Sequence, residues 1–95
     1  MTLRGRQPGR MTMASGERIG EITHYYDRIS VAVLRLTQTL KAGDTVHFLG
    51  RHTDFETVIT SMEVEHKTVG EAPGGSEVAV KVNQRVRPGD AIFRP

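Results

Sequence analysis

The sequence predicts an all-β fold: a small, closed, roughly six-stranded antiparallel β-barrel with Greek-key-like connections, preceded by a flexible N-terminal tail. Three observations carry this expectation. No segment of the 95 residues holds apolar side chains at a sustained helical period, whereas short apolar runs alternate with turn-forming residues. Val78, Val80 and Val82 alternate against Ala79, Lys81 and Asn83, the two-residue repeat of a half-buried strand. One phrase also occurs twice, as L-K-A-G-D-T-V-H at 40–47 and V-R-P-G-D-A-I-F at 86–93. Pro sets φ at the first central position of a type II turn, and Gly supplies φ > 0 at the second. Each copy therefore predicts a tight turn that launches a strand, Thr45 to Leu49 in the first and Ala91 to Arg94 in the second.

Taken in order, residues 1–16 carry no period and few bulky apolar groups, which reads as a flexible tail. Its Arg and Gly residues suit non-specific phosphate contacts, and a merely solvated terminus explains them as well. Met11 and Met13 offer alternative starts. Residues 17–95 form the folded domain. Arg18–Tyr26 is rich in β-formers, and Asp27-Arg28 is a short turn. Ile29–Leu36 is apolar on both parities through Val33-Leu34, as expected for a strand covered on both faces. Gly50 to Thr53 is a loop. Asp54–His66 reads as one long strand, with Val58, Met62 and Val64 on a buried face and Ser61, Glu63 and Glu65 on a wet one. Lys67–Ser76, with Pro73-Gly74-Gly75, is a loop, and Glu77–Asn83 is the clearest strand of the chain. Barrel closure would remove exposed strand edges.

Composition excludes several classes. A chain of 95 residues is one domain. With 37% hydrophobic residues it supports a modest core. The absence of Cys excludes disulfides and thiolate metal sites and fits a reducing, cytoplasmic setting. No apolar run approaches the ~18 residues of a membrane span, so no membrane partner is expected. The formal net charge is +2, but it is unevenly spread. Residues 1–18 hold four Arg against one Glu, a net +3, while residues 19–95 hold nine basic against ten acidic residues, a net −1.

The candidate sites follow from residue type. His24, His47, His52 and His66 invite a metal reading. No pair has the i,i+2 spacing that puts two ligands on one strand face, so neither a metal nor a cofactor is expected. Asp44 and Asp90 invite a paired-carboxylate reading. Their position directly after Gly43 and Gly89 favours structural turns, in which the carboxylate accepts local backbone N–H groups. No G-x-S-x-G elbow accompanies the serines, and no enzymatic activity is expected. Arg51, His52, Lys67, Lys81, Arg85 and Arg87 are candidate phosphate contacts if they gather on one face away from Glu63 and Glu65. Tyr25 and Tyr26 are candidates for base stacking.

Residues 17–95 resemble the β-barrel that forms the second domain of translational GTPases such as elongation factor Tu. The resemblance rests on I-G-E-I-T-H-Y, on V-A-V-L-R-L-T-Q-T-L-K-A-G-D-T-V-H-F-L-G, on S-M-E-V, on a Gly-rich loop before V-A-V-K-V, and on V-R-P-G-D-A-I-F. A similar barrel occurs as an accessory C-terminal domain in some collagenase-like peptidase-family proteins associated with RNA modification. The chain has neither the P-loop nor the N-K-x-D segment of a GTPase, so nucleotide hydrolysis does not come with the likeness. The resemblance implies a stand-alone, non-catalytic barrel that binds RNA or the translation machinery, the ribosome included. The alternative is a protein–protein adaptor that docks a separately encoded partner without touching nucleic acid.

Overall fold

The computed structural model describes residues 16–95, and among them there are ten β-strands and no helix. They are β1 (Glu17–Tyr26), β2 (Val31–Leu36), β3 (Leu40–Lys41), β4 (Thr45–Gly50) and β5 (Thr53–Val58), followed by β6 (Met62–Val64), β7 (Lys67–Val69), β8 (Glu71–Ala72), β9 (Glu77–Lys81) and β10 (Ala91–Arg94). Eight form one antiparallel sheet in the order β5-β4-β10-β1-β2-β9-β6-β7, and β3 pairs with β8. The all-β, antiparallel expectation holds. Of the expected tail at 1–16, residues 1–15 lie outside the described residues.

The strand count exceeds six for local reasons. The long strand expected over Asp54–His66 divides at Ile59–Ser61. Ile59 still bonds the turn before β4, its N–H to Asp44 O at 2.9 Å and its carbonyl from Gly43 N–H at 2.7 Å, whereas Met62 pairs with Val80 of β9. Ile59 and Met62 are buried three residues apart while Val58 is 48% exposed, so strict alternation fails across the break. The segment 67–76 holds β7 and β8 rather than a plain loop. A two-residue turn at Glu65-His66, both at positive φ (52° and 66°), folds β6 back on β7. The loop expected at 50–53 tightens to a two-residue turn at Arg51-His52, because Gly50 and Thr53 already pair.

Bulges in β1 between Arg18 and Gly20 and between Ile22 and His24 let one strand serve both β10 and β2. They also explain how Ile19 and Ile22, three apart, both reach the core. That core runs through Leu34, Leu36, Phe48, Val78, Val80 and Ile92. The sheet bends round it, with β5 and β7 as its end strands and no ladder between them among the described residues. Its ends are tied through the small sheet instead. β8 follows β7 after Gly70 and pairs with β3, Ala42 N–H bonds Gly70 O at 2.9 Å, and the turn after β3 leads into β4.

β2 departs from expectation in one respect that matters for function. Ala32, Leu34 and Leu36 are buried, but Val31 and Val33 on the opposite face are only half-buried and Arg35 is exposed. The strand is covered on one face, not two.

Candidate functional site

The two Gly-Asp turns share one geometry. In the first, Asp44 N–H donates to Lys41 O at 3.0 Å, and Asp44 Oδ2 accepts Lys41 N–H at 3.0 Å. In the second, Asp90 N–H donates to Arg87 O at 3.0 Å, and Asp90 Oδ2 accepts Arg87 N–H at 2.9 Å. Gly43 and Gly89 sit at φ 97° and 94°, where a side chain would be strained. Each turn also exchanges two backbone bonds with a buried isoleucine, Ile59 for the first and Ile22 for the second. The carboxylates are 46 positions apart in sequence and belong to separate turns, and each is engaged by its own backbone.

Their surroundings differ. Asp44 is partly exposed and lies 3.7 Å from Arg94 Nη2, which also donates to Thr39 O. Asp90 is buried at 5% exposure, and its Oδ2 also accepts the Thr53 hydroxyl at 2.5 Å. Gly50 gives the carboxylate its room, since a Cβ there would run into Asp90 Oδ1. Thr53 was not marked by the sequence, because only the fold brings the β4–β5 turn to the start of β10.

His47 is the most engaged histidine. Its Nε2 lies 2.6 Å from Asp54 Oδ1 and its Nδ1 3.6 Å from Glu56 Oε2. Both ring nitrogens thus have a carboxylate for a neighbour. Among the described residues no group of three or more His, Cys, Asp and Glu is arranged to hold a metal ion.

The basic residues are spread over several elements. Arg51 and His52 make the turn after β4, and the Thr53–Asp90 bond brings that turn beside Arg87. Arg85 lies in the same segment between β9 and β10. Lys67 opens β7, next to the hairpin tip. Lys81 ends β9 and lines a groove together with Glu63 and His66, so Glu63 does not point away from it. Tyr25 and Tyr26 are neighbours on one strand and face opposite ways. Tyr25 packs against the core, and Tyr26 is 48% exposed at the groove, its ring tilted against that of His24 with centroids 4.5 Å apart.

That groove encloses about 440 Å³. Its floor is the outward row of β2 and β9, with Val31, Val33 and Ala79. Tyr26 and Ile29 wall one side, and the β6–β7 hairpin tip walls the other. It runs on into a hollow of about 170 Å³ beside Glu65 and Glu77. The signal in the sequence was the apolar run on both parities at Val31–Leu36, which marks an outer face that water does not fully claim.

No family model matches the chain. Among curated proteins it is 41% identical over 76 residues to an uncharacterized protease of Methanocaldococcus jannaschii. The match takes in 79% of this chain but 19% of that protein, so the chain spans about a fifth of its relative. Among solved structures it is similar to the C-terminal domain of a putative U32 peptidase of Geobacillus thermoleovorans. One structure of that domain gives a TM-score of 0.78 with 22% identity, covering 83% of this chain and 92% of the domain. Its selenomethionine variant gives 0.77 with 22% identity, covering 81% and 98%. These likenesses correct the resemblance to the second domain of translation factors. They also correct the reading as an RNA-binding, ribosome-associated module that was drawn from it, because the relatives are a protease and a peptidase C-terminal domain. The fold is that of the peptidase C-terminal domain.

Proposed function

We propose that this chain is a non-catalytic accessory domain of the U32 peptidase kind, which binds for a peptidase body rather than cutting bonds itself. The observation that carries the proposal is the span of the sequence match, a single module that accounts for 19% of a protease. The side-chain chemistry supports it. Both nitrogens of His47 have carboxylate neighbours, Asp90 is buried under Thr53, and among the described residues no hydrogen bond pairs Ser61 with His66 in the groove. A domain with an apolar groove and fixed turns is built to hold a partner in place.

The test is hydrolysis. Purified protein is incubated with quenched fluorescent peptides of mixed sequence and with gelatin, and no cleavage above buffer is expected. Cleavage that disappears in His47→Ala or Ser61→Ala would contradict the proposal. A chimera in which residues 16–95 replace the matched segment of the Methanocaldococcus protease should remain folded and keep the parent's behaviour. Aggregation of the chimera would count against equivalence of the two modules.

A further inference from the structure

The groove over β2 and β9 has features that an ordinary solvated sheet face lacks. Register places Val31 beside Lys81, Val33 beside Ala79, and Arg35 beside Glu77. Glu63 of β6 lies beside Ala79 on the same outer face. The middle of this face is therefore apolar, although outward positions of a one-sided antiparallel sheet are normally polar. Among the described residues, the three non-glycine residues at positive φ, Ser30, Glu65 and His66, all lie in the two turns that wall the groove. Such conformations cost energy in non-glycine residues and gather where a surface is held in a particular shape.

Charge divides the groove lengthwise. At one end stands Lys81, with Tyr26 and Ile29. At the other stand Glu63, Glu65 and Glu77. Of these, Glu77 shares its charge with Arg35 at 4.0 Å, while Glu63 and Glu65 have no ion-pair partner among the described residues. Two uncompensated carboxylates beside an apolar floor repel phosphate and attract cations. We infer that the groove takes an extended polypeptide segment, with small apolar side chains on Val31, Val33 and Ala79 and Arg or Lys side chains at the Glu63–Glu65–Glu77 end. Floor and acidic end together span three rows, from Val31–Lys81 to Arg35–Glu77, or about 13 Å at the usual rise per residue, so the groove seats about four residues. Alternate side chains of the segment face the floor, and the basic ones follow toward the hairpin tip. This deepens the accessory-domain reading and rests on it, since the bound segment must be held and not cut.

The experiment uses three fluorescein-labelled probes in anisotropy titrations at low and moderate salt. One is an octapeptide of alternating Val and Thr ending in two Arg, the second is the same peptide ending in two Glu, and the third is an oligouridine eight nucleotides long. The Arg peptide should bind at least about tenfold more tightly than the Glu peptide, as like charges across a contact are strongly disfavoured. Glu63→Lys and Glu65→Lys, both at exposed positions, should remove that preference without changing the melting temperature. Ala79→Arg should block binding of both peptides. Equal binding of the two peptides, tighter binding of oligouridine, or wild-type preference in Glu63→Lys would overturn the inference. Mass spectrometry of the recovered peptide separates the two levels. An intact peptide that does not bind defeats the groove assignment alone, whereas a cleaved peptide defeats the accessory reading.

Discussion

The two Gly-Asp turns start from nearly the same local sequence and end in different roles. Both fold alike, with the Asp carboxylate accepting the N–H three residues back and a buried isoleucine bonded to the turn. At Asp44 the matter ends near the surface, with Arg94 beside it. At Asp90 the same carboxylate is buried and joined to Thr53, 37 residues away, under a glycine that leaves it room. A local motif sets the turn, and the environment decides whether that turn becomes a tertiary lock. The residue before each glycine shows the same division. Pro88 suits its turn, whereas Ala42 keeps an N–H that bonds Gly70 and ties the β3–β8 sheet.

Substitutions can break or sharpen this comparison. The largest effect is expected for Asp90→Ala, which strands the buried Thr53 hydroxyl and takes the acceptor from the part-buried Arg87 N–H. A loss of about 3 kcal/mol, and of roughly 12–20 °C in melting temperature, is expected from a buried polar pair left unsatisfied. Asp90→Asn should lose less and still melt measurably lower, and unchanged melting would contradict the lock. Gly50→Ala should cost about 2 kcal/mol or more, because its methyl meets the Asp90 carboxylate. The loss should shrink in an Asp90→Ala background, and a double-mutant cycle gives the coupling directly. Asp44→Ala should cost only about 1 kcal/mol, the worth of a partly exposed turn bond. Equal losses at Asp44 and Asp90 would erase the distinction drawn here. The smallest effect separates the two turn residues. Ala42→Pro should destabilise by about 1 kcal/mol despite a compatible turn, because it removes the bond to Gly70. A stabilised protein would show that this bond contributes nothing.

Much of the architecture was legible in the chain. The repeated phrase marks both turns, and Val78, Val80 and Val82 mark a strand that is buried on one face. The break at Ile59–Ser61 was hidden because Val58, Met62 and Val64 keep one parity in sequence while an irregular three-residue link intervenes in space. The hairpin at Glu65-His66 was hidden because neither residue is the Asn or Gly that such turns usually hold. The groove was only half legible. Val31 and Val33 announce apolar character on a second face, but which strand lies beside them depends on pairings between residues some fifty positions apart. The likeness of the turns and strands to a translation-factor barrel led toward RNA, because turns and strands describe a fold and carry no side chain specific to a partner.

The groove and the Asp90 turn are thus assigned opposite work, binding at one and architecture at the other. An amide-resolved NMR titration of the protein with the Arg-ended octapeptide tests that assignment most directly. The account predicts shifts clustered at Val31, Val33, Glu63, Glu65 and Ala79, with Thr53, Asp90 and His47 unmoved and the peptide intact at the end. Shifts centred on His47 or on the Thr53–Asp90 pair, or a peptide cleaved during the titration, would contradict it.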